Sequence, residues 1–294
     1  MKLNNGEFRV ELNGIQHWVK IEGCEHQTRP LIVLHGGPGG NHYTFERTVG
    51  PYLSKSRTVV YYEQRGSGRS ERPRSNEEYT VDFLIDDFKE LQKWLEVDKV
   101  DLLGYSFGGE LALEMAYALP DEIHHLILSA PSLLNSGIQK LVQIAGFMSV
   151  ATRELFSAIQ LAQQEATSID ELYDRVGEMV DTDVVDRLLF ENQDCAKKNR
   201  DLWEESGLDN TGFMAKALQK WPADPPLLSR LNDIAHQTLI IAGVFDRNTG
   251  VPVSKIIHRE LVNSQLVLFE KSAHFPDLEE TEKFVQVVHA FLEK

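Results

Sequence analysis

Three side chains in this sequence could together cut an acyl bond, and each follows a short apolar run. Ser106 lies in Lys99-Val-Asp-Leu-Leu-Gly-Tyr-Ser-Phe-Gly-Gly-Glu-Leu-Ala-Leu113, between Gly104 and Gly108. An apolar run, a serine framed by glycines and then a helical pattern is the layout of a sharp strand-to-helix turn. Such a turn lifts the serine Oγ clear of its sheet. A side chain at Gly104 or Gly108 would crowd the place where strand and helix approach. The helix that follows aims its positive end at the serine, where an oxyanion would form. A serine alcohol is a poor nucleophile until a base takes its proton. Histidine does this best near neutral pH, and a carboxylate must hold the imidazole. In α/β sheets such groups sit on loops past the carboxyl ends of strands. Asp246, in Gly243-Val-Phe-Asp-Arg-Asn248, follows the run 238–242, and His274, in Lys271-Ser-Ala-His-Phe-Pro276, follows 265–269. Their competing readings, a turn cap for Asp246 and a solvated loop side chain for His274, are outweighed by this shared placement. The other histidines lack it, and His35 reads as a residue that orders the glycine loop beside it.

Acyl transfer also needs two backbone N–H groups aimed at the oxyanion. Phe107 follows the nucleophile at the start of a helix. The second donor is expected in Gly36-Gly37-Pro38-Gly39-Gly40, after the run 30–35. Proline has no N–H, so Gly37 is the candidate. A glycine loop can also cradle phosphate, but no Lys-Ser/Thr follows it and the chain has no G-x-G-x-x-G.

Positioning these groups takes a framework. Asn13-Gly14 between 8–12 and 15–21 signals a hairpin. Runs at 30–35, 57–62, 99–105, 125–130, 238–242 and 265–269 read as buried strands. Val81, Leu84, Ile85, Phe88, Leu91 and Leu95 recur at helical spacing over 80–97, and 253–261 and 281–292 read as further helices. Alternating strands and helices imply an α/β fold, a mostly parallel sheet covered on both faces. The alternation stops after Pro131. Residues 135–226 read as consecutive helices, including 169–180 and 182–192, and the proline-rich stretch 221–226 closes them. We therefore expect a catalytic domain of residues 1–134 and 227–294. A helical cap, 135–226, is inserted after the sixth strand.

Bulk properties exclude several classes of function. A net charge of −15 over 294 residues, without Lys/Arg clusters, argues against nucleic acid. No run approaches the length of a membrane span, and the first ten residues have no apolar leader core. Cys24 and Cys195 are isolated, so neither a disulfide nor a metal site is expected, and a cytoplasmic setting fits. No cofactor is called for. The expected partner is a small molecule or short peptide; the oligomeric state is left open. Residues 135–226 carry 16 Asp/Glu against 9 Lys/Arg, a balance of −7. That could draw a cationic substrate inward or simply keep the surface solvated.

His35-Gly-Gly-Pro-Gly39, Glu63-Gln-Arg-Gly-Ser-Gly-Arg-Ser70 and Gly104-Tyr-Ser-Phe-Gly-Gly109 resemble the proline iminopeptidase-like branch of the α/β-hydrolases. The resemblance spans the whole sheet domain. It implies a triad of Ser106, Asp246 and His274 in the family's chain order, and Gly37 at the oxyanion position. The activity it implies is release of an N-terminal residue, often proline, from short peptides. The chain departs from the family in three places. Glu63 stands where Asp is usual, Phe107 where Trp is frequent, and the cap lacks a Trp-x-x-Trp-Glu segment. In the family, cap glutamates bind the substrate amine, which makes Glu191, Glu204 and Glu205 the candidates here. The same signatures occur in esterases and lactonases, so cleavage of a small ester or lactone is the alternative. A non-catalytic ligand receptor on the same fold is a more remote one.

Overall fold

The protein, described by a computed structural model over residues 3–293, begins with a hairpin of β1 (Gly6–Leu12) and β2 (Ile15–Glu22). Asn13 and Gly14 join them at φ of 49° and 77°. This twist matches that of the flanking strands, and these two residue types reach it at little cost. The remaining strands are β3 (Leu31–Leu34), β4 (Val59–Tyr62), β5 (Val100–Tyr105), β6 (Ile123–Ser129), β7 (Gln237–Gly243) and β8 (Ser264–Phe269). They form one sheet in the order β1-β2-β4-β3-β5-β6-β7-β8. β2 pairs antiparallel with β1 and β4, and the strands from β4 to β8 pair in parallel.

β3 and β4 are buried at every position because helices cover both faces. Side chains alternate between two cores. Leu31, Val33, Val59 and Tyr61 pack with Phe45, Phe284 and Val288. Ile32, Leu34, Val60 and Tyr62 pack with Phe88, Leu111 and Met115. The helix Val81–Leu95 ends two residues earlier than its apolar spacing suggests, because Glu96 turns left-handed at φ 54°.

Six α-helices lie between β6 and β7: Gly137–Val150, Arg153–Glu165, Ile169–Met179, Thr182–Leu189, Gln193–Ser206 and Phe213–Lys220. Ser136, Thr152, Ser168, Asp181 and Asn192 cap the first five, each side chain accepting from a backbone N–H of the first turn. Ile144, Phe147, Ile159, Val176, Val184 and Leu188 give this segment a core of its own. The helix over 182–189 is shorter than the 182–192 read from the sequence. Phe190 turns extended and stacks on Phe275, with ring centroids 4.8 Å apart. Among the described residues no helix is long and apolar enough to cross a membrane.

Candidate active site

Parallel strands deliver their carboxyl ends to one edge of the sheet, and the candidate residues collect there. Ser106 follows β5 with φ 54° and ψ −123°, a conformation that non-glycine residues rarely adopt. Neighbouring backbone holds it. Its amide donates to the Ser129 carbonyl at 2.9 Å, and its carbonyl accepts from Gly109 and Ser132 at 2.9 and 3.2 Å. The framing glycines are required by space. A Cβ on Gly104 would lie 2.1 Å from the Gly108 carbonyl oxygen, and one on Gly108 would lie 2.1 Å from that of Leu34.

The structure brings Ser106, His274 and Asp246 together. His274 Nε2 lies 3.0 Å from Ser106 Oγ, and its Nδ1 lies 3.2 and 3.3 Å from the two carboxylate oxygens of Asp246. Thr249 Oγ1 donates to Asp246 at 2.7 Å, and the amides of Asn248 and Thr249 donate at 2.9 and 3.1 Å. Burial pushes the Asp246 carboxyl up. The His274 ring and these donors outweigh it and hold the group below its ordinary range. A carboxylate so held fixes the proton on Nδ1, which leaves Nε2 to accept from the serine hydroxyl. The His274 amide donates to the Leu189 carbonyl at 2.9 Å, tying this loop to the helical segment.

Phe107 is the first residue of the helix Phe107–Ala118, so its N–H has no partner within that helix. Gly37 lies in the loop after β3. Among the described residues neither amide donates to a protein acceptor. His35 ties this loop to the one after β4. Its Nε2 accepts from the Gln64 amide at 3.1 Å, and its Nδ1 lies 2.9 Å from the Gly36 carbonyl. Burial holds this imidazole below its ordinary range. Glu63 is a second tie. Its carboxylate accepts from the His42 amide at 3.0 Å and from the Arg69 amide and guanidinium at 2.6 Å.

Ser106 and His274 open onto a cavity of about 400 Å³, with Gly37, Phe147, Trp203 and Asp277 also on its walls. Glu191, Glu204 and Glu205, the expected amine-binding candidates, are not among its lining residues. All three are exposed on the helical segment. Glu191 pairs with Arg247 at 2.6 Å, and Glu205 accepts from the Tyr43 hydroxyl at 2.9 Å. Sequence reasoning missed three neighbours of the triad. Asn248 and Thr249 follow Asp246 by two and three residues, a spacing at which an aspartate commonly accepts from the backbone ahead of it. Asp277 follows His274 by three residues. Among the described residues, Asp101, His124 and His125 bring metal-ligating atoms close together. That cluster is at the opposite ends of β5 and β6. Arg57 pairs with Asp101 at 3.1 Å and Arg29 touches His124 at 2.6 Å, so guanidinium groups already supply its positive charge.

This sheet order, with a serine at the strand-to-helix turn after β5, matches one family. The chain fits the alpha/beta hydrolase fold family over residues 29–281 and belongs to it. It is 27% identical to a proline iminopeptidase of Saccharolobus solfataricus, covering 99% of this chain and 94% of that protein. Among solved structures, a proline iminopeptidase-related protein from Thermus thermophilus superposes with a TM-score of 0.82 at 23% identity. That match covers 99% of this chain and 98% of the other. An esterase from Exiguobacterium antarcticum gives 0.70 at 22%, over 98% and 100%. The chain is a hydrolase by fold and by relatives.

Proposed function

We propose that the protein is a serine hydrolase that removes an N-terminal residue, proline or similar, from short peptides or amino-acid amides. The hydrogen-bonded chain Ser106–His274–Asp246, open to the cavity, carries this reading. The full-length likeness to proline iminopeptidases supports the choice of substrate. In this mechanism Ser106 Oγ attacks the carbonyl carbon while His274 Nε2 takes its proton. Asp246 steadies the resulting imidazolium. The Phe107 and Gly37 amides receive the oxyanion of the tetrahedral intermediate. His274 then protonates the departing amine, leaving an acyl-enzyme on Ser106. A water, deprotonated by the same imidazole, hydrolyses it. Residues 135–226 act as a cap that shapes the acyl pocket. The free thiols of Cys24 and Cys195 support a cytoplasmic setting.

A second reading, hydrolysis of a small ester or lactone, draws on one observation: the three cap glutamates stand outside the cavity. A prolyl arylamide, its N-blocked form and a short-chain p-nitrophenyl ester separate the two. The peptidase reading expects the first to be cleaved far faster than the second. Ester cleavage without arylamide cleavage removes it. Ser106→Ala is expected to lower turnover of every substrate cleaved by about 10⁴- to 10⁶-fold. Wild-type turnover in that variant would overturn the mechanism, and failure of Ser106 to react with a fluorophosphonate would favour a non-catalytic receptor.

A further inference from the structure

Asp277 is an acid that the mechanism above does not use. It is 4% exposed and belongs to the short helix Pro276–Glu279, directly after the base. It lines the same cavity as Ser106 and His274. Among the described residues no lysine or arginine lines that cavity, and none forms an ion pair with Asp277. Among the described residues no other side chain donates a hydrogen bond to its carboxyl. The remaining walls are neutral amides and large apolar groups, among them Tyr105, Phe147, Trp203 and Phe275. A carboxyl so enclosed, with no lysine or arginine set against it, lacks the partner that nearly every buried acid has. The missing partner is one that a ligand can bring.

We propose that Asp277 forms an ammonium-binding subsite that pairs with a primary or secondary amine on the ligand whose carbonyl faces Ser106. This rests on the peptidase reading for the identity of that carbonyl. It moves recognition of the amine from the cap glutamates to the turn after β8. Low polarity around the pair makes the attraction stronger than at the surface. In keeping with the lack of a cation, burial pushes this carboxyl up to about 7. The titratable groups around it are His274, which pulls it down, Glu279, which pushes it up, and the Tyr105 hydroxyl from β5. A bound ammonium would favour the ionised form. The rival role for Asp277 is to steady protonated His274 during turnover.

Binding without turnover separates these roles. Calorimetry with Ser106→Ala would compare L-prolinamide with N-acetyl-L-prolinamide. The free amine is expected to bind about 10- to 100-fold more tightly, as suits a charge-assisted contact. In Ser106→Ala/Asp277→Asn that preference should fall to about two-fold or less. Ser106→Ala/Asp277→Glu, which keeps the charge, should retain part of it. Three results would overturn the subsite: no preference in Ser106→Ala, the same preference after Asp277→Asn, or equal weakening of both ligands. The two proposals fail separately. An Asp277-dependent amine preference in a protein that cleaves no arylamide removes the peptidase reading alone. Arylamide cleavage with an amine preference indifferent to Asp277 removes the subsite alone.

Discussion

The loop after β7 and the turn after β8 each bring an aspartate to His274, and they treat it in opposite ways. Asp246 sits among donors: the imidazole, the Thr249 hydroxyl and two backbone amides. Asp277 is equally buried, yet among the described residues no other side chain donates to its carboxyl. One carboxyl is held below its ordinary range, and the other is pushed up to about 7. Burial acts on both in the same direction, so the donor set decides between them. Acids whose environments drive them apart usually have separate tasks. A satisfied acid can orient a base through every step. An unsatisfied one can respond to a ligand that enters the cavity.

The largest test of the contrast is Asp246→Asn. The amide keeps the shape of the side chain but can present N–H to His274 Nδ1, which favours the wrong tautomer. Turnover of arylamide and ester substrates alike is expected to fall by about 10⁴-fold. A loss under about ten-fold, measured by steady-state kinetics on folded protein, would remove Asp246 from the role assigned to it.

A smaller effect should appear in stability. The folded state keeps a proton on Asp277 up to about pH 7, whereas the ordinary aspartate value is 3.8. The folded form therefore binds more protons than the unfolded form between those values. Asp277 lowers stability progressively as pH rises through that window. Asp246, shifted the other way, adds stability above its ordinary range, and that contribution is lost in acid. Between about pH 5 and 8 the melting temperature of the wild type should fall by a few degrees relative to Asp277→Asn. Parallel melting curves would mean that the two carboxyls do not differ as described.

Much of this site was legible because short-range rules govern it. Apolar runs at 99–105, 238–242 and 265–269 mark strands, and the loops leaving parallel strands all reach one edge of the sheet. Gly104 and Gly108 have a local reason too, the close approach at the turn. Asp277 has no such mark. Beside Pro276 it reads as an ordinary acid in the first turn of a helix, where negative side chains are common. Its special position comes from packing that no local pattern encodes. Phe275 stacks on Phe190, and the Leu189 carbonyl accepts from the His274 amide, closing the helical segment over the turn. The same long-range packing decides which side chains of residues 135–226 reach the cavity. With no Trp-x-x-Trp-Glu segment to anchor them, the sequence alone therefore could not identify them.

The smallest expected effect bears directly on the acids of residues 135–226. Glu205 is exposed, and its carboxylate accepts from the Tyr43 hydroxyl outside the cavity wall. Removing its charge leaves a neutral acceptor that the same hydroxyl can still reach. An exposed polar contact of this kind contributes little, and any field it adds at Ser106 is screened by solvent. Glu205→Gln should therefore change kcat/KM for a free-amine arylamide by about two-fold or less. A ten-fold loss that appears with the free-amine substrate and not with its N-blocked form would place amine recognition in the cap. That outcome would also reduce Asp277 to a buried acid with no ligand to meet, and the contrast with Asp246 would then concern packing alone.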